Sequence, residues 1–143
     1  MAQFGFLDPT FGEGGLSMVQ IGYDNYSKVI FQSNGKITCT GNSFVIDRYT
    51  NDGSIDLSFG LKGRLFLTNK PGYAIGLAEF KNSNYIVTGW FVNSGSNYDI
   101  LTIKTKSDGS IDSSFGKNGI VTMDIDNYDY SEAMTIQTDE KII

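Results

Sequence analysis

The sequence predicts an all-β fold built from tandem four-stranded antiparallel repeats. The first observation is an octapeptide, Asp-x-Ser/Thr-Phe-Gly-x-x-Gly, which occurs at residues 8–15, 56–63 and 112–119. The second is that short β-branched and apolar runs alternate with turn residues along the chain. The third is that no stretch keeps a 3.6-residue apolar period, and 17 glycines interrupt any candidate helix. The spacing of the three copies is typical of proteins whose repeats stack to bury a common core.

A second marker supports the repeat. Gly12 and Gly60 occupy the same place in their octapeptides, and each is followed at the same distance by another glycine, Gly41 and Gly89, which closes a strand-like run. The second interval between octapeptides is longer than the first by eight residues, so these must come after Gly89, in or beside the polar stretch 93–97. Insertions in repeat proteins lie in loops, so we expect a loop there.

The first unit contains four short strands bounded by turn residues. These strands are expected at 16–21, 27–32, 37–40 and 44–50. Asn34-Gly35 predicts a hairpin between the second and third strands, and Asp52-Gly53 predicts the turn that ends the fourth. Four strands in about fifty residues are typical of a β-propeller blade. A β-solenoid is the main alternative, although its coils are usually shorter.

Three runs in the first unit resemble the delta-60 repeat. They are LDPTFGEGG at 7–15, QSNGKI at 32–37 and DRYTNDGSID at 47–56. The resemblance covers nearly the whole chain and implies a β-propeller-like fold in one repeat domain, 1–143, with units of about 8–55, 56–111 and a partial 112–143. The second unit departs from the family pattern at 82–84 and 103–105. The family carries no established activity or catalytic residues, so the resemblance implies no mechanism.

Composition narrows the functional classes. The net charge of −5 argues against binding the nucleic-acid backbone. The sequence shows no transmembrane run, polybasic patch or signal peptide, so we expect a soluble protein that does not insert into a membrane. The chain has no histidine, which removes the Ser-His-Asp and Cys-His catalytic arrangements. Its one cysteine, Cys39, cannot form an internal disulfide and is expected in the core.

The strand count raises a question of assembly. If the strand after each octapeptide is the outer strand of a blade, the chain has eleven strands, one short of three blades. Closed propellers typically have about four to eight blades, so a single chain forms an incomplete ring. The chain could be a fragment, several copies could complete a ring, or the sheets could assemble differently. We expect a homo-oligomer in which the strand at 16–21 pairs with another copy.

Two runs have the oxygen-donor spacing of calcium loops. The weak calcium candidates are Asp52, Ser54, Asp56, Asp108, Ser110 and Asp112. The complete calcium loop, with Gly at its sixth position and Glu at its twelfth, is missing. Asp-Gly hairpins explain the same residues, so we favour structural turns and predict no cofactor. The acidic run 124–129 has the same two interpretations and is expected to be a solvated loop.

Aromatic residues supply the candidate binding sites. Phe11, Phe59 and Phe115 of the octapeptides could stack on sugars but are better explained as repeated core anchors. Tyr and Trp in or near predicted loops suit protein or glycan recognition, because they offer a rigid face with a polar group. The main candidates are Tyr73, Trp90, Tyr98 and Tyr128, and others are Tyr23, Tyr26 and Tyr130.

These observations predict a non-catalytic β-repeat binding or scaffold module that self-assembles, with protein or glycan partners. One alternative is a structural component of a surface or particle. A further alternative is a carbohydrate-binding or carbohydrate-active protein. An enzyme would need acidic residues such as Asp99 or Asp126 as acid and base.

Overall fold

The computed structural model describes residues 5–18, 25–95 and 97–143. It contains two four-stranded antiparallel sheets, each a meander in chain order. The strands of the first sheet are β1 (Tyr26–Phe31), β2 (Ile37–Gly41), β3 (Val45–Tyr49) and β4 (Arg64–Phe66). Those of the second sheet are β5 (Gly72–Phe80), β6 (Asn84–Val92), β7 (Tyr98–Thr105) and β8 (Ile120–Met123), with a 3₁₀ turn at Lys81–Ser83. The described residues include no helix long and apolar enough to cross a membrane. The predicted all-β fold of four-stranded repeats is confirmed.

The octapeptide lies between the third and fourth strands of each sheet. β4 follows the second copy and β8 follows the third, and both are edge strands of their sheets. Because β1 and β5 are edge strands as well, the outer position of the strand after the octapeptide stays a prediction. The corresponding first strand, expected at 16–21, lies partly outside the described residues; Leu16 makes an isolated β-bridge to Glu13.

All three octapeptides form the same turn. In each copy the Asp carboxylate accepts a hydrogen bond from the hydroxyl two residues later, at 2.6 Å in every case: Thr10, Ser58 and Ser114. The Phe amide then donates to the Asp carbonyl oxygen at 3.0 Å in each copy. The glycine after each Phe has a positive φ of 51–57°, and a Cβ there would collide with a backbone carbonyl four residues on. Only glycine satisfies both requirements, as the sequence predicted.

Phe59 joins the two sheets. Its ring is fully buried and meets the Tyr85 ring edge-to-face, with centroids 5.9 Å apart. The Arg48 guanidinium of the first sheet lies 4.3 Å from the centre of the Phe59 ring. Phe11 and Phe115 are only partly buried, so the predicted core-anchor role is fully realised at one copy of three.

A basic residue in the third strand pairs with the octapeptide Asp in both sheets. Arg48 lies 2.7 Å from Asp56, and Lys104, the equivalent residue in β7, lies 3.0 Å from Asp112. Residues 103–105 depart from the family pattern, but Lys104 preserves this ion pair. The departure at 82–84 changes the turn instead, since Asn82 and Ser83 both adopt φ of 58° in the left-handed region.

Cys39 lies in the core of the first sheet. Its side chain is buried beside Ile37 and Tyr49. Burial, together with the nearby Asp47 carboxylate, raises the pKa of the Cys39 thiol to about 12. The thiol is therefore protonated at neutral pH, and the expectation of a buried core residue is confirmed.

Candidate functional site

The second sheet carries a longer hairpin than the first. β6 runs three residues past Gly89, whereas the equivalent β2 ends at Gly41. Counted back from the octapeptide that follows each strand, β7 likewise starts three residues earlier than β3 does. Six of the eight additional residues therefore extend the two strands and two lengthen the loop, so the expectation of an inserted loop is wrong for most of the insertion. Backbone pairing from Trp90–Ile100 to Val92–Tyr98 supports the extension.

The extended hairpin gathers the aromatic candidates into one group. All four main candidates meet there, joined by Tyr130; we call Tyr73, Trp90, Tyr98, Tyr128 and Tyr130 the aromatic cluster. Trp90 is central, with ring centroids 4.8 Å from Tyr98, 5.6 Å from Tyr130 and 6.4 Å from Tyr73. Tyr98 lies 5.3 Å from both Tyr128 and Tyr130.

Strand register explains this convergence. Tyr73 of β5 is directly opposite Trp90 of β6, and cross-strand neighbours project on the same side of a sheet. Tyr98 lies two residues before Ile100, the partner of Trp90, so it projects on that side too. A parallel bridge between Tyr98 and Tyr128 then attaches the 124–130 segment to the start of β7.

The aromatic cluster is partly open to solvent. Tyr128 is 61% exposed and Tyr130 is 49% exposed, while the other three rings are half-buried. Burial raises the pKa of Tyr130, with further contributions from Tyr98 and Tyr128. Of the remaining aromatic candidates, Tyr26 lies in β1, where its hydroxyl donates to Asp47, and Tyr23 is outside the described residues.

An acidic group lies at the same end of the second sheet, where Asp99 follows Tyr98 in β7 and therefore projects on the opposite side of the sheet. The carboxylate oxygens of Asp99, Asp124 and Asp129 all lie within 4.8 Å of one another. Asp99 and Asp129 are buried, and Asp124 is exposed. Oxygen donors of this kind are those that Ca²⁺ prefers, so these three could hold a metal ion. The sequence placed Asp124 and Asp129 in a solvated loop and did not associate them with Asp99.

Hydrogen bonds fix the buried members of the acidic group. Asp99 accepts from the Asn93 amide at 2.6 Å. The Asp129 carboxylate accepts from the backbone amides of Ile125 at 2.7 Å and Asp126 at 3.2 Å, which closes the loop on itself. Asp126, named with Asp99 as a possible acid–base pair, accepts from the backbone amide of Asn127 at 2.8 Å.

The predicted calcium candidates are engaged in turns. Asp52 accepts from the Ser54 amide at 3.0 Å, and Asp108 accepts from the Ser110 amide at 2.8 Å. Both carboxyl pKa values are lowered by these turn hydrogen bonds, with the Thr50 hydroxyl the largest contribution at Asp52. This geometry favours the interpretation of these residues as structural turns.

Asp56 and Asp112 face basic side chains. Burial would raise the pKa of Asp56, but hydrogen bonds from Lys36 and Ser58 outweigh it and hold the pKa well below 3.8. The Ser114 hydroxyl and Lys104 lower the pKa of Asp112 to about 2. Both carboxylates are therefore ionised at neutral pH and already hold a cation from the chain itself.

Comparison with known proteins agrees with this architecture. Residues 32–59 and 84–115 match the model of a family described as a domain of unknown function (DUF5122), beta-propeller. Each matched segment includes the second and third strands of one sheet and runs into the octapeptide that follows. The search of curated proteins finds no match. The two matches support a β-propeller-type repeat domain, while the more specific resemblance to the delta-60 repeat stays a prediction.

Proposed function

We propose that this β-propeller-type repeat domain is a non-catalytic binding module whose contact surface is the aromatic cluster. The observation that carries the proposal is the convergence of five aromatic rings at one end of the second sheet, two of them about half exposed or more. Tyr and Trp dominate the energetics of binding surfaces, because they offer large rigid contact area with a polar group. The repeat accounts for the four-stranded sheet but not for the aromatic cluster, because the first sheet lacks the extended hairpin that positions these rings.

Removing the two exposed rings is expected to weaken binding without unfolding the domain. Tyr128→Ala combined with Tyr130→Ala should weaken binding by about 2 kcal/mol, or about thirtyfold in Kd. The measurement is binding of the labelled protein to a glycan array and to a peptide array. Phe66→Ala is the matched control, because Phe66 of β4 is also 61% exposed and lies outside the cluster. Unchanged binding of the double variant, or no binding of the wild-type protein on either array, would contradict the proposal.

Self-assembly is a second candidate function, supported by the side of the first sheet that faces away from the second. Val29 is 51% exposed and Phe31 is 78% exposed there. Leu77, which occupies the position of Val29 in the second sheet, is only 3% exposed because it packs between the sheets. Within one chain, the segment 131–143 lies on the side of the second sheet that faces away from the first. By analogy with Leu77, Val29 would be covered by this segment of a second copy.

Light scattering across a range of protein concentrations tests this assembly. We expect the average mass to rise with concentration for the wild-type protein. Val29→Lys combined with Phe31→Lys should hold the protein at the mass of one chain, because two lysines in the contact cannot be desolvated without a partner charge. A wild-type mass of one chain at every concentration would refute self-assembly, as would a double variant that assembles normally.

A further inference from the structure

We propose that the first sheet holds a small-molecule site, separate from the aromatic cluster, for an apolar ring compound that carries one hydrogen-bond donor. The site is a cavity of about 310 Å³ on the side of the first sheet that faces away from the second. Small-molecule sites usually have volumes of about 300–1,000 Å³. The walls of the cavity are mostly apolar and include Phe11, Leu16, Val29 and Ile37.

Two tyrosine hydroxyls form the polar part of the cavity. Tyr26 and Tyr49 both line it, and their hydroxyl oxygens lie 3.1 Å apart. The Tyr26 hydroxyl also donates to the Asp47 carboxylate, which the Arg64 guanidinium holds in place. A hydroxyl has a single hydrogen, so Tyr26 cannot donate to Tyr49 as well, and Tyr49 must donate to Tyr26. Burial raises the pKa of both tyrosines, so both hydroxyls are protonated at neutral pH.

The direction of these hydrogen bonds determines which group a ligand must present. Tyr49 uses its hydrogen on Tyr26, and within residues 5–18, 25–95 and 97–143 no group donates to the Tyr49 oxygen. A ligand with an O–H or N–H group can donate to this oxygen, whereas a ligand that has only acceptors finds no hydrogen there. Tyr49 is only 5% exposed, so the bond forms where hydrogen bonds are stronger than in water.

The repeat does not require this pair of hydroxyls. In the second sheet the positions of Tyr26 and Tyr49 are occupied by Ala74, opposite Gly89, and by Thr105, opposite Tyr85. Both of these smaller residues are completely buried, because the first sheet covers that side of the second. The cavity and its two hydroxyls are therefore features of the first sheet alone, and the packing of one repeat on the next does not explain them.

Naphthol and methoxynaphthalene measure the expected selectivity, because they share a ring system and only naphthol has a hydrogen to donate. Isothermal titration calorimetry of the wild-type protein should show saturable binding of both, with naphthol tighter by about two- to tenfold. The protein is diluted until light scattering gives the mass of one chain, so that contact between copies at Val29 does not compete. Equal affinity for the two compounds, or no saturable binding of either, would overturn the proposal.

Tyrosine-to-phenylalanine variants test the direction of the hydroxyl pair. In Tyr26→Phe the Tyr49 hydrogen loses its acceptor, so methoxynaphthalene should bind about two- to tenfold more tightly than it binds the wild-type protein. In Tyr49→Phe the affinity for naphthol should fall towards that for methoxynaphthalene. Tyr85→Phe is the matched control, because Tyr85 is buried in β6 of the second sheet and lies outside the cavity. Unchanged affinities in the first two variants, or the same changes in the control, would contradict the proposed site.

Val29→Trp tests where the compounds bind. Val29 lines the cavity and is 51% exposed, so a larger side chain there should fill the cavity without disturbing the core. Both compounds are expected to lose measurable binding, while the circular dichroism spectrum stays that of the wild-type protein. Naphthol binding that keeps its wild-type affinity in this variant would place the ligand elsewhere on the protein and refute the site.

Discussion

Replacing Phe59 by alanine is expected to lower the free energy of unfolding by about 3–5 kcal/mol. The ring is fully buried between the two sheets, where it touches Tyr85 and lies under the Arg48 guanidinium. Its removal leaves a cavity at the joint, because the second octapeptide backbone is held by its own turn and cannot collapse inward. The loss is a large part of the stability of an ordinary domain, which is about 5–15 kcal/mol.

The internal repeat supplies the controls for this experiment. Phe11 and Phe115 hold the same position in the same turn but are only partly buried, so alanine at either should cost about 1–2 kcal/mol. Urea unfolding followed by circular dichroism measures all three variants under one condition. Equal losses at the three positions would mean that the aromatic residue stabilises its own turn, and that Phe59 has no special role between the sheets.

The difference between these phenylalanines also shows where sequence reasoning stops. The octapeptide specifies the turn through local chemistry, and for that reason all three copies could be predicted from sequence. Burial of the Phe depends on which sheet covers it, and this is a property of the whole fold. The same limit applies to strand length: Gly89 and the polar residues at 93–97 indicated a loop, but pairing of Trp90 with Ile100 carries both strands further.

The candidate site was predictable by residue type and not by position. Tyrosine and tryptophan suit recognition, so the sequence alone indicates Tyr73, Trp90, Tyr98 and Tyr128. Only the register of the sheet brings them together. Tyr26 met the same criterion, yet its hydroxyl contacts Asp47 in the first sheet. Asp99 and Asp129 are distant in sequence, and only the bridge between Tyr98 and Tyr128 places them together.

Replacing Asp47 by isoleucine is expected to be as damaging as the loss of Phe59. Asp47 is completely buried, and the Arg64 guanidinium donates to both of its carboxylate oxygens at 2.6 and 2.5 Å. Without the carboxylate, a guanidinium that is only 5% exposed loses the charge that neutralises it. Breaking a buried ion pair from one side costs about 3–5 kcal/mol.

The second sheet indicates how the loss can be reversed. Asp47 and Arg64 are opposite one another in β3 and β4, and the equivalent residues of β7 and β8 are Ile103 and Ile120, also opposite one another. The repeat therefore accepts an apolar pair at this place in the sheet. Asp47→Ile combined with Arg64→Ile should return to within about 1 kcal/mol of the wild-type stability, because desolvating two charges offsets most of their mutual attraction.

A double-mutant cycle in urea at neutral pH measures the coupling, with Arg64→Ile as the fourth member. The Tyr26 hydroxyl loses its carboxylate acceptor in the double variant, but the Tyr49 hydroxyl, 3.1 Å away, remains as a partner. A double variant no more stable than Asp47→Ile would refute the equivalence of the two sheets at this pair. Recovery would mean that the first sheet does not need the ion pair to fold.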